Sequence, residues 1–263
     1  MKKFIVILLL SLSLCPIAQA DVYPNKKTAE KLTQEKPNNL ASTTSTDEAE
    51  SPISGNFDIT SNYVWRGVSL SNNLPAFQGG LTYTFLTTGI YLNMWGSNVN
   101  FPDAEDGTAT VEIDTVGGIA NKIGEHFGYD ISIARYNYPK ASGVNYNELL
   151  TKWSYYFLTA ELDYSNNVFN TDKSGTYYNI GFNYGIPPKY IFNFNDVNVK
   201  GSIGHFSLPR SADLRSYNDY SLQINKTIGI YNLALQWTGT NGRSVDDPAL
   251  RGNHLLGTVT VNF

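Results

Sequence analysis

The chain has 263 residues, of which 41% are hydrophobic, 13% aromatic and only 16% charged, whereas about a quarter of the residues in a typical soluble domain are charged. With 19 basic and 23 acidic residues the net charge is −4, which argues against nucleic acid as a partner. Beyond residue 20 no stretch approaches the ~20 continuous apolar residues of a membrane helix, while 18 Tyr, 13 Phe and 22 Gly point to an aromatic, turn-rich β protein, and barrel strands escape a hydropathy scan because half of each is polar.

Residues 1–20 have the three parts of a secretory signal: basic Lys2 and Lys3, the apolar run from Phe4 to Leu14, and the small-residue site Ala18-Gln19-Ala20. Cys15 follows Leu14 rather than a small residue, which weighs against lipidation. Cleavage before Asp21 removes that single cysteine and leaves 17 basic against 23 acidic residues, a net charge of −6. The exported chain then has no disulfide framework. Residues 21–54 are polar, punctuated by Pro24, Pro37 and Pro52, and read as a disordered periplasmic leader.

From residue 55 to 263 the apolar period is two. Phe57, Ile59, Tyr63 and Trp65 share a face in the first predicted strand; Phe77, Leu81, Tyr83 and Phe85 in the second; Ile90, Leu92 and Met94 in the third; Val111, Ile113 and Ile119 in the fourth. The alternation continues through Ile131 and Ile133, Leu149 and Trp153, Leu158 and Leu162, Ile180 and Phe182, Val199 and Ile203, Leu222 and Ile224, and Leu233 and Leu235. It closes with Leu255, Val259, Val261 and the terminal Phe263 on one face against Thr258, Thr260 and Asn262 on the other. Twelve strands result. Connections expected at 66–74, 99–109, 139–144, 165–174, 208–217 and 239–253 are long, and those between them are short apart from 187–194. Such segregation is that of an antiparallel transmembrane β-barrel with short periplasmic turns and longer extracellular loops. Tyr63, Trp65, Tyr155, Tyr164, Tyr184, Tyr231 and Trp237 fall near strand ends, where aromatic rings suit the headgroup level.

The segment Ser61-Asn62-Tyr63-Val64-Trp65-Arg66-Gly67-Val68-Ser69 resembles a proteobacterial porin-type family, TorF or Gcw_chp, and the likeness extends through Pro75-Ala76-Phe77-Gln78-Gly79-Gly80, Trp95-Gly96-Ser97-Asn98, Val111-Glu112-Ile113-Asp114 and Tyr136-Asn137-Tyr138-Pro139. The resemblance implies an outer-membrane barrel and supplies no catalytic or ligand residues. The terminal Phe263 is likewise similar to the signal by which Gram-negative outer-membrane barrels engage their assembly machinery, with membrane lipid and lipopolysaccharide as surroundings.

Strand parity turns Asp58, Glu112, Asp114, Asp130, Glu148, Glu161, Asp163 and Asp219 inward, against Lys152 and Lys200 in the strands and Arg66 at the rim. Arg66, Glu112, Asp114, Glu148, Lys152, Glu161, Asp163 and Lys200 are the candidate pore-lining residues. Of two readings for Arg66, a guanidinium at the channel mouth and an anchor holding a loop against Glu112 or Asp114 on a neighbouring wall, the anchor is favoured, since a lumen arginine needs carboxylate partners. Twelve strands give a backbone cylinder ~24 Å across, and inward side chains including Tyr91, Trp95, Tyr136, Tyr146 and Tyr177 reduce the bore to about 10 Å or less. The expected function is passive diffusion of small solutes or ions through a narrow, cation-preferring pore; the alternatives are a plugged structural or surface-interaction barrel and a lipid-modifying enzyme.

No cofactor, metal cluster or phosphate loop is legible, and no enzyme is expected. The enzyme alternative rests on His205-Phe206-Ser207, whose outer two residues face outward by parity; Leu208-Pro209 ends that strand, and no Asn or Asp is clearly placed to orient the imidazole.

Overall fold

A computed structural model describes residues 51–103, 107–212, 214–241 and 248–263. The expected signal segment 1–20, almost all of the expected leader 21–54, and Arg243, Asp246 and Asp247 of the last expected loop lie outside the described residues. Among the described residues, twelve antiparallel strands close into a barrel: β1 (Ile53–Thr60), β4 (Ala76–Phe85), β5 (Ile90–Asp103), β6 (Gly107–Ile123), β7 (Phe127–Asn137), β8 (Tyr146–Tyr155), β9 (Leu158–Ser165), β10 (Gly175–Gly185), β11 (Val197–Ser207), β12 (Tyr217–Ile228), β13 (Tyr231–Asn241) and β14 (Asn253–Asn262). The remaining two, β2 (Val64–Trp65) and β3 (Val68–Ser69), form a separate two-stranded hairpin between β1 and β4.

Each strand pairs with its chain neighbour, and β1 pairs with β14 from Asn56 against Asn262 to Thr60 against Thr258. The seam continues one step further, where Gly55 and Phe263 exchange both backbone hydrogen bonds at 2.8 and 3.0 Å. The alternation in sequence becomes an alternation in space: Phe77, Leu81, Met94, Ile133, Ile180, Ile203 and Leu255 stand exposed on the outside, while Gln78, Thr82, Asn93, Ser132, Asn179 and Ser202 are buried within. Such an inside-out arrangement, apolar outward and polar inward, suits a barrel whose outer solvent is lipid.

Three departures from expectation share one cause. The first strand ends at Thr60 rather than carrying on to Trp65, so Tyr63 and Trp65 lie buried in the interior instead of belonging to an outer aromatic girdle. The chain turns inward because Arg66 and Gly67 both take left-handed backbone conformations, φ 46° and 76°, the requirement of a two-residue turn whose twist matches its flanking strands. A Cβ on Gly67 would meet the Gly239 carbonyl oxygen at 2.7 Å, so Gly is needed there for space as well as for φ. In the third departure, the expected loop at 99–109 is largely strand, since β5 runs to Asp103 and β6 starts at Gly107, with a register shift between Asn98 and Phe101. Val99 and Ala109 belong to the buried cluster that includes Tyr63, Trp65 and Val68 of the hairpin segment, so the two strands are extended by a packing surface that composition does not reveal.

Candidate functional site: the ionic centre of the barrel

The hairpin hangs inside the barrel from a set of short polar contacts. Ser69 and Ser71 both donate to Asn62 Oδ1, at 2.7 and 2.9 Å, the Tyr63 amide donates to Ser71 Oγ at 2.9 Å, and the Leu70 amide donates to the Tyr63 carbonyl at 2.8 Å. The Ser69 amide reaches the Leu250 carbonyl, and the Asn100 amide reaches that of Leu70. These bonds satisfy main-chain groups that would otherwise be buried without partners, and they fix the direction in which the tip points.

At the tip, Arg66 is 4% exposed. Its Nη1 and Nη2 donate to the two oxygens of Glu148 at 3.0 and 3.1 Å, and Nη2 also donates to Asp163 Oδ2 at 2.9 Å. Glu148 on β8 and Asp163 on β9 lie on the wall opposite β1, so the ion triad crosses the interior. The guanidinium carbon is 4.3 Å from the Trp65 ring centre, 4.1 Å from that of Tyr177 and 4.6 Å from that of Phe206. Planarity explains why arginine fits: its fork meets one carboxylate bidentately while its faces stack on rings.

The carboxylates have further donors. The Tyr136 hydroxyl donates to Glu148 Oε2 at 3.1 Å, and the Thr151 amide to Asp163 Oδ1 at 3.1 Å. Edge-to-face contacts of Trp65 with Tyr136, Phe169 and Phe206, and of Phe206 with Tyr177 and Tyr217, continue the packing around the triad.

The expected anchor for Arg66 was Glu112 or Asp114, and that pairing is corrected: its partners are Glu148 and Asp163. The hairpin carries the guanidinium across the barrel, beyond the β6 wall that holds Glu112 and Asp114. Both of those carboxylates are buried, and Glu112 Oε1 accepts from the Tyr138 hydroxyl at 2.7 Å. Glu161 is buried and paired across β8 and β9 with half-exposed Lys152 at 3.1 Å. Lys200 lies on β11, between Asn183 and Gln223 in register. The structure therefore joins Arg66, Glu148 and Asp163 in one centre, sets Lys152 and Glu161 beside one another, and leaves Glu112, Asp114 and Lys200 outside it.

Strand parity alone did not point to Tyr177, Asp219 and Phe206 as a unit. The Tyr177 hydroxyl donates to Asp219 Oδ1 at 3.0 Å, and Phe206 is wholly buried between β10 and β12. The available signal was the Arg66-Gly67 doublet between Trp65 and Val68: two residues able to make a tight turn, flanked by apolar ones, predict a hairpin rather than a strand end.

The sequence profile of a family described as "Bacterial protein of unknown function (Gcw_chp)" matches residues 45–261. No curated protein sequence matches the chain. Among solved structures, the fold is similar to the NanC porin, with a TM-score of 0.50, 10% identity and coverage of 80% of this chain and 98% of that one. It is also similar to the KdgM porin at a TM-score of 0.48 and 9% identity, covering 80% and 98% of the two chains. A third similar structure is the outer membrane protein opdK of Pseudomonas aeruginosa, at a TM-score of 0.41 and 10% identity, covering 81% and 66%.

Proposed function

The chain belongs to the Gcw_chp family, and we propose that it is a narrow outer-membrane channel for small solutes or ions, cation-preferring, with the Arg66 hairpin setting its constriction. The supporting observation is the charge distribution within the barrel. Asp58, Glu112, Asp114, Glu148, Glu161, Asp163 and Asp219 are buried there, against Arg66 and the half-buried Lys152 and Lys200 on inward parity. An excess of fixed carboxylates in a constriction attracts cations and repels anions. On this reading residues 1–20 export the chain, Phe263 presents the closing strand to the assembly machinery, and lipid and lipopolysaccharide surround the apolar face.

Purified protein in a planar bilayer tests the proposal. Small unit conductance is expected, with a reversal potential in a potassium chloride gradient that favours cations and shrinks as salt rises, because the Debye length falls from ~10 Å at 0.1 M to ~3 Å at 1 M. Anion preference would refute the lumen assignment. A second reading, the plugged structural or surface-interaction barrel, is favoured by the burial of Trp65, Arg66 and Phe206 in the middle of the interior. A complete absence of conductance decides for it.

A further inference from the structure

On the outer face of β11, next to the long connections, polar side chains stand in the row that Ile203 begins. His205 and Ser207 are both exposed, while Phe206 between them is buried inside. His205 lies opposite Asn218 of β12 in register, and His205 Nδ1 is 2.7 Å from Asn218 Oδ1. An amide oxygen only accepts, so Nδ1 is the nitrogen that carries hydrogen and donates. A neutral ring that donates from Nδ1 keeps its lone pair at Nε2. On its other side His205 is paired in register with Tyr178 of β10, whose ring lies nearly parallel to the imidazole at 29° and 6.5 Å between centres. The imidazole is thus hydrogen-bonded to one neighbouring strand and flanked by a ring of the other.

Ser207 follows His205 by two residues and so projects from the same face, ~6.6 Å along the strand. A nucleophile, a base and an amide that fixes the base's tautomer are the three roles of serine-dependent acyl transfer. Their level on the barrel decides the substrate. Tyr164, Tyr178, Tyr220 and Trp237 cluster on the same outward sector of β9, β10, β12 and β13, and Tyr220 and Trp237 touch at 5.2 Å. Such rings favour the boundary between headgroups and hydrocarbon, which is where a glycerophospholipid carries its ester carbonyls. Exposed Arg210 and Arg215 stand just beyond the strand ends, suited to a lipid phosphate.

We propose that His205, Ser207 and Asn218 form a lipid-facing acyl-ester hydrolase site on the outer wall of the barrel, with membrane phospholipid as substrate. Ser207 Oγ attacks the ester carbonyl carbon while His205 Nε2 takes the hydroxyl proton. The tetrahedral species collapses as the bond to the glycerol oxygen breaks, and the imidazolium returns the proton to that oxygen, releasing lysophospholipid. Water, deprotonated by the same nitrogen, then attacks the acyl-serine; free fatty acid leaves, and Oγ regains its proton. Asn218 is a positioning residue and touches no reacting atom.

The test uses the full chain folded in detergent, mixed with dioleoylphosphatidylcholine, with oleate and lysophospholipid measured together and Ser207 modification by a fluorophosphonate read by peptide mass spectrometry. Wild type is expected to release the two products in equal amounts and to be labelled at Ser207. Ser207→Ala and His205→Ala should each lose about 100-fold or more of the release, with Ser207→Ala leaving bilayer conductance as in wild type. Asn218→Ala should lose part of the rate and shift the pH profile, and Asn218→Asp, which still accepts from Nδ1–H, should restore it; a purely structural role would not move that profile. Heat-modifiable mobility in gels confirms that each variant is folded. Wild type that neither releases oleate nor takes the label overturns the proposal, as does release that survives Ser207→Ala.

Discussion

Arg66 makes two buried ionic contacts and three ring contacts at once, and removing it would leave Glu148 and Asp163 facing one another without a counter-charge. Breaking a buried pair from one side costs about 3–5 kcal/mol, far more than the net worth of the pair. Arg66→Ala is therefore expected to lower the free energy of unfolding in detergent by an amount in that range, read as a lower urea midpoint. Arg66→Lys should recover little, because an ammonium cannot serve Glu148 with two parallel bonds while stacking on Trp65 and Tyr177. The triple variant Arg66→Met with Glu148→Gln and Asp163→Asn removes all three charges and should be less damaged than Arg66→Ala. If Arg66→Ala unfolds at the wild-type midpoint, the triad holds nothing in place.

Among the elements, the hairpin and the terminal seam carry the most consequence. Deleting residues 62–74 and joining the ends with Gly and Ser should raise unit conductance severalfold if the hairpin sets the constriction; an unchanged conductance would place the constriction elsewhere. At the seam, a Cβ on Gly55 would meet the Phe263 ring at 2.7 Å and the Gly80 carbonyl oxygen at 2.9 Å. Gly55→Val is therefore expected to cost about 1–3 kcal/mol by overpacking, read as a lower temperature for conversion of the folded to the unfolded gel band. The strands around this seam were legible in sequence because their period of two is written in residues such as Val259, Val261 and Phe263, whose faces the barrel preserves. The hairpin was not, because Tyr63 and Trp65 continue the parity of Phe57 and Ile59 and only the turn at Arg66-Gly67 breaks it. The same limit hid the triad: parity placed Glu148 and Asp163 inward, but which inward groups meet depends on where a loop crosses the interior. It hid Asn218 too, since its place beside His205 follows from the register of β11 and β12, which alternation alone leaves open.

For the whole molecule, the two rims differ in a way that predicts its orientation. On one rim lie the start of β1 and the end of β14 with the connections 86–89, 124–126, 156–157 and 229–230, and the single longer one at 186–196; the other carries 61–75, 138–145, 166–174 and 208–216, and one short connection where β5 ends at Asp103 and β6 starts at Gly107. Short turns on the rim of a barrel mark the periplasmic side in an outer membrane, and long connections the extracellular side. Orientation also governs the His205 and Ser207 face: at the long-connection end of β11, it would meet the outer leaflet. A cysteine at Asp172, in the 166–174 connection, should therefore react with an impermeant maleimide on intact cells, whereas one at Asn193, in the 186–196 connection, should react only after the membrane is broken. Both residues are exposed, so unequal labelling reports sidedness rather than burial. The single native cysteine, Cys15, falls within the signal segment expected to be cleaved, and carrying Cys15→Ser removes it as a background. Labelling at 193 but not at 172 on intact cells would invert the barrel and place the proposed ester site in the inner leaflet.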